Sequence, residues 1–200
     1  MKNIIITIGR QFGSGGLAVA KELGRKLNIP VYDNELITKA AQDSGFSAEL
    51  FVRSDEKKKF FSLSAILGSS QENYTSESGL FSIQCETIRR IAEQGSAVIV
   101  GRCSDYVLRD MDSTLNVFLT APLEVRAERI AERKGISIDE ALVLIEKTDK
   151  GREVYYNYYT FGNWGVASTY DICINSSILG IEGTADYIIE LIRRREKSDE

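Results

Sequence analysis

The first sixteen residues set a strand directly against a glycine-rich turn. Residues 4–8 are all β-branched, which is typical of a strand buried on both faces of a parallel sheet. Glycines follow at positions 9, 13, 15 and 16, and a helical pattern then runs to Leu27. This order predicts an anion-binding loop, because glycines let successive amides point inward and the helix presents its positive end. The alternative is a turn that only packs the helix against the strand.

The rest of the chain continues the alternation of strands and helices. Strands are predicted at 31–32, 97–100, 115–119 and 171–174, and helices at 34–51, 83–95, 122–134, from 138 onward, and at 182–195. Such alternation is typical of βαβ units and predicts a parallel sheet that is covered by helices. Residues 53–79 are the least regular part, and we predict a mobile flap or a partner-contact segment there.

The composition excludes several classes of chemistry. The 200 residues contain no histidine, so a Ser-His-Asp triad and a histidine-based zinc site are both excluded. The net charge of −4 disfavours a nucleic acid polymer as a partner. Three cysteines without a C-x-x-C pair, and an N-terminal apolar run too short to span a membrane, predict a cytoplasmic protein. Its chemistry must use carboxylates, cations, hydroxyls and backbone amides.

The glycine loop departs from the Walker A pattern G-x-x-x-x-G-K-[ST] at two positions. Gly16 stands where the pattern has its lysine, and Leu17 stands where it has a hydroxyl. The positive charge of Arg10 is a candidate replacement for the missing lysine. The predicted phosphate-binding residues are Arg10, Gly13, Ser14, Gly15 and Gly16.

Six segments, spread over most of the chain, share their order and spacing with one known family. They are residues 6–16, 32–37, 98–103, 118–121, 126–129 and 148–152. In this order they resemble the cytidylate kinase-like family of the P-loop nucleoside monophosphate kinases, with a degenerate Walker A loop. The resemblance implies a three-layer α/β P-loop NTPase fold, in which helices flank a five-stranded parallel sheet. It also implies an acceptor-binding helical segment and a lid.

The resemblance also implies an activity, which is ATP-dependent phosphoryl transfer to a nucleoside monophosphate, with cytidylate as the expected acceptor. ATP and Mg²⁺ are the implied cofactors, and no side chain is assigned as a metal ligand. Small nucleotides are the expected partners, with no nucleic acid polymer and no membrane, and a homo-oligomer is left open. Two alternatives remain, a non-catalytic nucleotide- or phosphate-binding regulatory module and a kinase for another small metabolite. In the enzyme, Gly16→Lys is expected to increase ATP affinity if the loop has its usual geometry.

One domain is expected over residues 1–200. Its core sheet is assigned to 1–33, 96–120 and 170–195, the acceptor-binding or flap region to about 34–95, and the lid to about 126–160. The candidate catalytic residues are Arg102, Arg129, Arg133 and Arg152, since arginine suits a transition state with dispersed negative charge. The candidate acceptor-binding residues are Asp33 and Arg102, and the lid residues are Asp149, Lys150 and Arg152.

Purely structural roles are alternatives to these assignments. Asp33 is equally suited to capping the next helix. Arg102 would pair with a nearby carboxylate if it were an ordinary surface residue. Arg129 and Arg133 alternate with glutamates on one helix, which also fits a solvated ion-pair face. The aromatic residues between 155 and 164 are left without a ligand, since base stacking, hinge packing and a subunit contact all fit them.

Overall fold

The computed structural model describes residues 3–43 and 71–198. The helix predicted at 34–51 therefore lies within the described residues only as far as Asp43. Most of the predicted flap, residues 53–70, lies outside them. The remaining predictions about the fold can be compared with the structure directly.

Five parallel strands form one sheet, as predicted. The strands are β1 (Ile5–Arg10), β2 (Val31–Tyr32), β3 (Ala97–Val100), β4 (Thr114–Thr120) and β5 (Ile172–Asn175), in the spatial order β2-β3-β1-β4-β5. The glycine-loop strand β1 is thus central, and Ile8 is paired with Val100 on one side and with Val117 on the other. Since ligands of such sheets bind beyond the carboxyl ends of the strands, the end of β1 is the expected site.

Helices cover both faces of the sheet. They are α1 (Gly16–Leu27), α2 (Asn34–Asp43), α3 (Gln71–Gln94), α4 (Ser104–Val107), α5 (Leu123–Lys134), α6 (Ile138–Thr160) and α7 (Ser176–Ser198), with a 3₁₀ turn at Ala167–Thr169. Gly180 interrupts α7 with a non-helical conformation. The three-layer α/β architecture expected from the sequence is confirmed.

The alternation of side chains along β1 builds a core on each face. Ile6 and Ile8 pack into one buried cluster with α1 and α7, which contributes Ile188. Ile5 packs into the other cluster with α2 and α3, which contributes Ile88. Because β1 is apolar on both faces, its position in the centre of the sheet follows from burial of its side chains.

One predicted boundary was wrong. Helix α3 begins at Gln71, so the last part of the segment predicted as irregular is helical. Residues 71–79 lack the periodic apolar residues from which a helix is predicted, and they extend a helix that is packed further along the chain. Helix α7 is assigned from Ser176, but Gly180 breaks it after one turn, so the predicted start near residue 182 lies at the beginning of its long second part.

A short connection joins α5 to α6. Gly135 ends α5 in the left-handed conformation with φ 66°, and Ser137 begins α6 with the predicted capping box to Glu140. These two signals fix the angle at which α6 returns towards the sheet. The position of the side chains on α6 therefore depends on this cap.

Ser137→Ala is expected to lower the free energy of unfolding by about 1 kcal/mol, because it removes the hydroxyl that accepts from the Glu140 amide. Urea denaturation followed by circular dichroism would measure the loss. Ser168→Ala, in the exposed 3₁₀ turn, is the matched control and should change stability by less than about 0.5 kcal/mol. Equal effects of the two substitutions would contradict the role of the cap.

Candidate phosphate-binding site

The glycine loop joins the end of β1 to the first turn of α1. Gly13 (φ 84°) and Gly15 (φ 83°) are both left-handed, which favours glycine at these positions. A methyl group on residue 13 would also lie 2.9 Å from the carbonyl oxygen of Arg126. Gly15 caps α1 without a side-chain hydrogen bond, and the first turn carries no acidic residue. The N-terminal end of α1 therefore keeps its positive potential for an anion.

Ser14 is buried, and its hydroxyl donates to the carbonyl oxygen of Gln11 at 2.9 Å. Its own carbonyl oxygen accepts from the Ser176 hydroxyl. Ser14 thus stabilises the loop through local bonds, and its hydroxyl is already engaged. The Ser14 amide also donates to the Gln11 carbonyl oxygen, at 3.3 Å, so the loop offers a ligand the amides of its glycines.

The side chain of Arg10 lies along the base of the loop. A methyl group on Gly16 would lie 2.7 Å from the Cβ of Arg10, and one on Gly101 would lie 2.2 Å from its Nη1. The side chain therefore runs from the end of β1, past the start of α1, to the residue that follows β3. The guanidinium of Arg10 therefore lies beside Arg102, which follows Gly101 in the chain.

The guanidinium groups of Arg10, Arg102 and Arg152 lie in this region, and their like charges repel one another. Burial lowers the pKa of Arg10 to about 9, and the like charges of Arg152 and Arg102 act in the same direction. The charges of Asp149 and Asp33 oppose this shift. Burial also lowers the pKa of Arg152. Arg10 is still a cation at neutral pH, so this end of the sheet favours an anionic ligand.

Arg152 connects the helix α6 to the loop. Its Nη1 donates to the carbonyl oxygen of Arg10 at 2.9 Å, and its guanidinium lies 5.5 Å from the centre of the Phe12 ring. The guanidinium of Arg133, on α5, lies at the same distance from that ring. Both predicted arginines are therefore held against the loop, in contact with one aromatic side chain.

Asp149 holds the loop through two different bonds. Its Oδ1 accepts from the Phe12 amide at 2.7 Å, and its Oδ2 accepts from Arg126 Nη1 at 2.5 Å. Arg126 also donates to the Phe12 carbonyl oxygen at 3.2 Å. The sequence placed Asp149 in the lid but did not identify Arg126 as its partner, since the two are 23 residues apart on separate helices. Only the packing of α5 on α6 brings them together.

Two further candidates, Arg129 and Lys150, differ in their distance from the loop. Arg129 Nη1 lies 3.4 Å from both the Gly13 carbonyl oxygen and the Ser176 hydroxyl, so it borders the loop. Lys150 pairs with Glu153 at 2.9 Å on the exposed side of α6, and the structure does not bring it to the loop. Within residues 123–134, the arginines turn towards the loop and form no ion pair with the interleaved glutamates.

The other side of the cluster is formed by Arg102 and the segment after β2. Arg102 has a left-handed backbone (φ 55°), its Nε donates to Asn34 Oδ1, and its guanidinium lies 5.4 Å from the centre of the Tyr155 ring. Asp33 Oδ1 accepts from two amides at the start of α2, both at 3.1 Å. The capping alternative for Asp33 is therefore present in the structure. Its carboxylate also contributes to the field at Arg10.

The aromatic residues of 155–164 divide between two packing sites. Tyr159 stacks on Phe81 of α3 with ring centres 3.9 Å apart, and Tyr155 meets the same ring edge-on at 6.2 Å. Trp164 packs edge-on against Phe118 of β4 at 5.4 Å. Packing within the chain thus accounts for much of the cluster. Tyr155 is the member that also borders Arg102.

The glycine loop lacks the hydroxyl that helps to hold Mg²⁺ in a complete Walker A sequence. Leu17 is 40% exposed at the start of α1, where a hydroxyl would be needed. Over residues 3–43 and 71–198, no three His, Cys, Asp or Glu side chains are grouped so as to hold a metal ion.

The described helices include none that is long and apolar enough to cross a membrane.

Asp149→Asn is expected to lower the free energy of unfolding by about 2–3 kcal/mol, because it leaves the buried Arg126 guanidinium without a counter-charge. Urea denaturation would measure this loss. Lys150→Gln, at the next residue, removes only an exposed pair and should cost less than about 0.5 kcal/mol. A loss for Asp149→Asn no larger than that of its neighbour would show that the ion pair does not stabilise the loop.

Comparisons with known proteins agree with this geometry. The model of the cytidylate kinase-like family matches residues 5–178. A cytidylate kinase from Sulfolobus acidocaldarius is 30% identical over 184 residues, which cover 92% of this chain and 91% of that protein. A cytidylate kinase from Pyrococcus horikoshii is 29% identical over 182 residues, covering 90% of this chain and 83% of that protein.

Solved structures extend the agreement to the fold. An uncharacterized protein from Eubacterium ventriosum has a TM-score of 0.74 at 33% identity, covering 95% of this chain and 98% of its own. A shikimate kinase from Bacteroides thetaiotaomicron has a TM-score of 0.56 at 16% identity, with 95% and 98% covered, and shares the fold alone. Since the family model spans the sheet, the glycine loop and the arginine-bearing helices, this chain belongs to the cytidylate kinase-like family.

Proposed function

We propose that this protein transfers the γ-phosphoryl group of ATP to a nucleoside monophosphate, with CMP as its acceptor. The observation that carries the proposal is the convergence of Arg10, Arg102 and Arg152 beside the glycine loop. The identification of the acceptor as CMP rests on the relatives, which are named cytidylate kinases.

The donor phosphates would bind at the loop. Amides of Gly13, Gly15 and Gly16 and of the first turn of α1 would donate to the phosphate oxygens, as the uncapped helix end allows. The loop is held in place by the Asp149 bond to the Phe12 amide. A loop fixed in advance lowers the cost of ordering it around the ligand. Mg²⁺ enters the proposal only as part of the Mg-ATP substrate, and no step depends on a metal ligand from the chain.

The acceptor phosphate would bind at Arg102. Its guanidinium follows β3 at the same edge of the sheet as the loop, so donor and acceptor phosphates would meet between Arg102 and Arg10. A bond forms between an acceptor phosphate oxygen and the γ-phosphorus as the bond to the β-phosphate oxygen breaks, giving CDP and ADP. The protein contributes positioning and positive charge, which suits a chain without histidine.

The lid arginines would complete the site from the other side. Arg152 and Arg133 lie against Phe12, and Arg129 lies against the Gly13 carbonyl oxygen. Their charges are thus available along the whole length of the loop. Positive groups held in advance, where charge develops in the transition state, are the largest source of rate in this class of reaction.

A second candidate function is nucleotide binding without turnover. Gly16 and Leu17 favour it, since the loop lacks both the lysine and the hydroxyl of a complete Walker A sequence. The convergence of several arginines favours the enzyme. The two functions make different predictions for turnover with the same nucleotides.

A coupled assay with Mg-ATP and each of CMP, dCMP, UMP and AMP would separate them. We expect turnover, with the highest kcat/KM for CMP. ATP binding in calorimetry without turnover of any acceptor would instead identify a binding module. Turnover of another small metabolite alone would assign a different acceptor.

Arg102→Ala should lower kcat/KM for CMP about 100-fold, because one charged donor to the acceptor phosphate is lost. The Kd for ATP should change less than about threefold, since the donor loop is intact. Arg109→Ala removes an exposed arginine that lies over Tyr106 and is the matched control. An equal loss of activity in both variants would contradict the role of Arg102.

A further inference from the structure

We propose that Arg10 takes the place of the lysine of the phosphate-binding loop, and that Gly16 and Gly101 leave the space its side chain occupies. The inference rests on the proposed function, since it assigns the cation that binds the donor phosphates. It concerns positions 10 and 16 together, because the side chains at these two positions would contact each other.

The register of the loop supplies the first argument. In G-x-x-x-x-G-K the lysine directly follows the second glycine, and the first glycine lies five residues before the second. With Gly15 as the second glycine, the first falls on position 10 and the lysine falls on position 16. This chain has arginine at position 10 and glycine at position 16. The long cationic side chain and the glycine have exchanged positions.

The geometry supplies the second argument. A methyl group on residue 16 would lie 2.7 Å from Arg10 Cβ and 2.8 Å from its Cγ. These are the first atoms of the Arg10 side chain, which cannot move away as a flexible end would. Positions 10 and 16 therefore open into the same space. Only one of them can carry a long side chain.

The position of the charge supplies the third argument. A methyl group on Gly101 would lie 2.2 Å from Nη1 and 3.3 Å from Nη2 of Arg10. Gly101 has φ 77° and immediately precedes Arg102. The guanidinium thus lies between the donor loop and the acceptor arginine. In the proposed reaction this is where the transferred phosphoryl group would pass.

The guanidinium of Arg10 also lacks the partners that a structural arginine has. Arg126 is paired with Asp149, and Arg195 donates to the carbonyl oxygen of Thr114 at 2.8 Å. In the described part of the chain, the side chain of Arg10 forms neither a hydrogen bond nor an ion pair. A partly buried cation without a partner destabilises the ligand-free protein, and an anionic ligand would relieve that cost.

The expected effect of Gly16→Lys is therefore reversed. The usual loop geometry predicts higher ATP affinity, but this requires space at residue 16 that Arg10 fills. The single substitution should weaken ATP binding. The added lysine should help only when Arg10 is replaced by glycine as well.

Isothermal titration calorimetry with ATP on four variants tests the exchange. Arg10→Gly and Gly16→Lys should each weaken ATP binding about tenfold or more, and the double variant should return to within about threefold of the wild type. Arg25→Ala, an exposed arginine at the far end of α1, is the matched control and should leave the Kd unchanged. Additive losses in the double variant would overturn the exchange.

Arg10→Met gives a second, independent readout. It retains much of the volume and removes the charge, so it should raise the Tm of the ligand-free protein by about 2–4 °C while it weakens ATP binding. A structural arginine would instead lower the Tm when replaced. Unchanged ATP affinity in Arg10→Met would overturn this inference and leave the proposed function standing. Absence of ATP binding by the wild type would overturn both.

Discussion

The carboxylate of Asp149 is the interaction on which the arrangement of the site depends. It accepts from the amide of Phe12 in the loop and from the guanidinium of Arg126, so it joins α5, α6 and the loop at one point. Its negative charge also opposes the lowering of the pKa of both Arg152 and Arg10. Without it, Arg126 and the Phe12 amide would lose their shared partner, and the repulsion between the cations around the loop would be less well offset.

The cluster illustrates an opposition between stability and ligand binding. Burial of Arg10 beside Arg102 and Arg152 lowers its pKa, which means that the protein holds this charge against an unfavourable free energy. Folding is supported elsewhere, by the two apolar clusters on either side of β1. The core thus tolerates a local cost at the carboxyl ends of the strands, where an anion would offset it.

Much of the fold follows from the sequence, because its strongest signals are local. The β-branched run of β1, the glycines after it and the capping box at Ser137 each determine structure within a few residues. The partners of the arginines could not be predicted in this way. Arg126 meets Asp149, and Arg10 meets Gly101, only because helices and strands distant in the chain pack together. A pattern of charges on one helix does not reveal which neighbour it will face.

The contact between residues 10 and 16 bears on how such a loop could change over generations. A chain with glycine at 10 and lysine at 16 cannot reach the present pair in one step without either crowding the two long side chains together or losing the cation altogether. Both intermediates would be poorer than either end. Under the proposed exchange, a single substitution at either position is therefore unfavourable in both kinds of loop. The cation is also carried by the central strand of the sheet, so its position follows a strand that is paired on both sides and not the helix beside it.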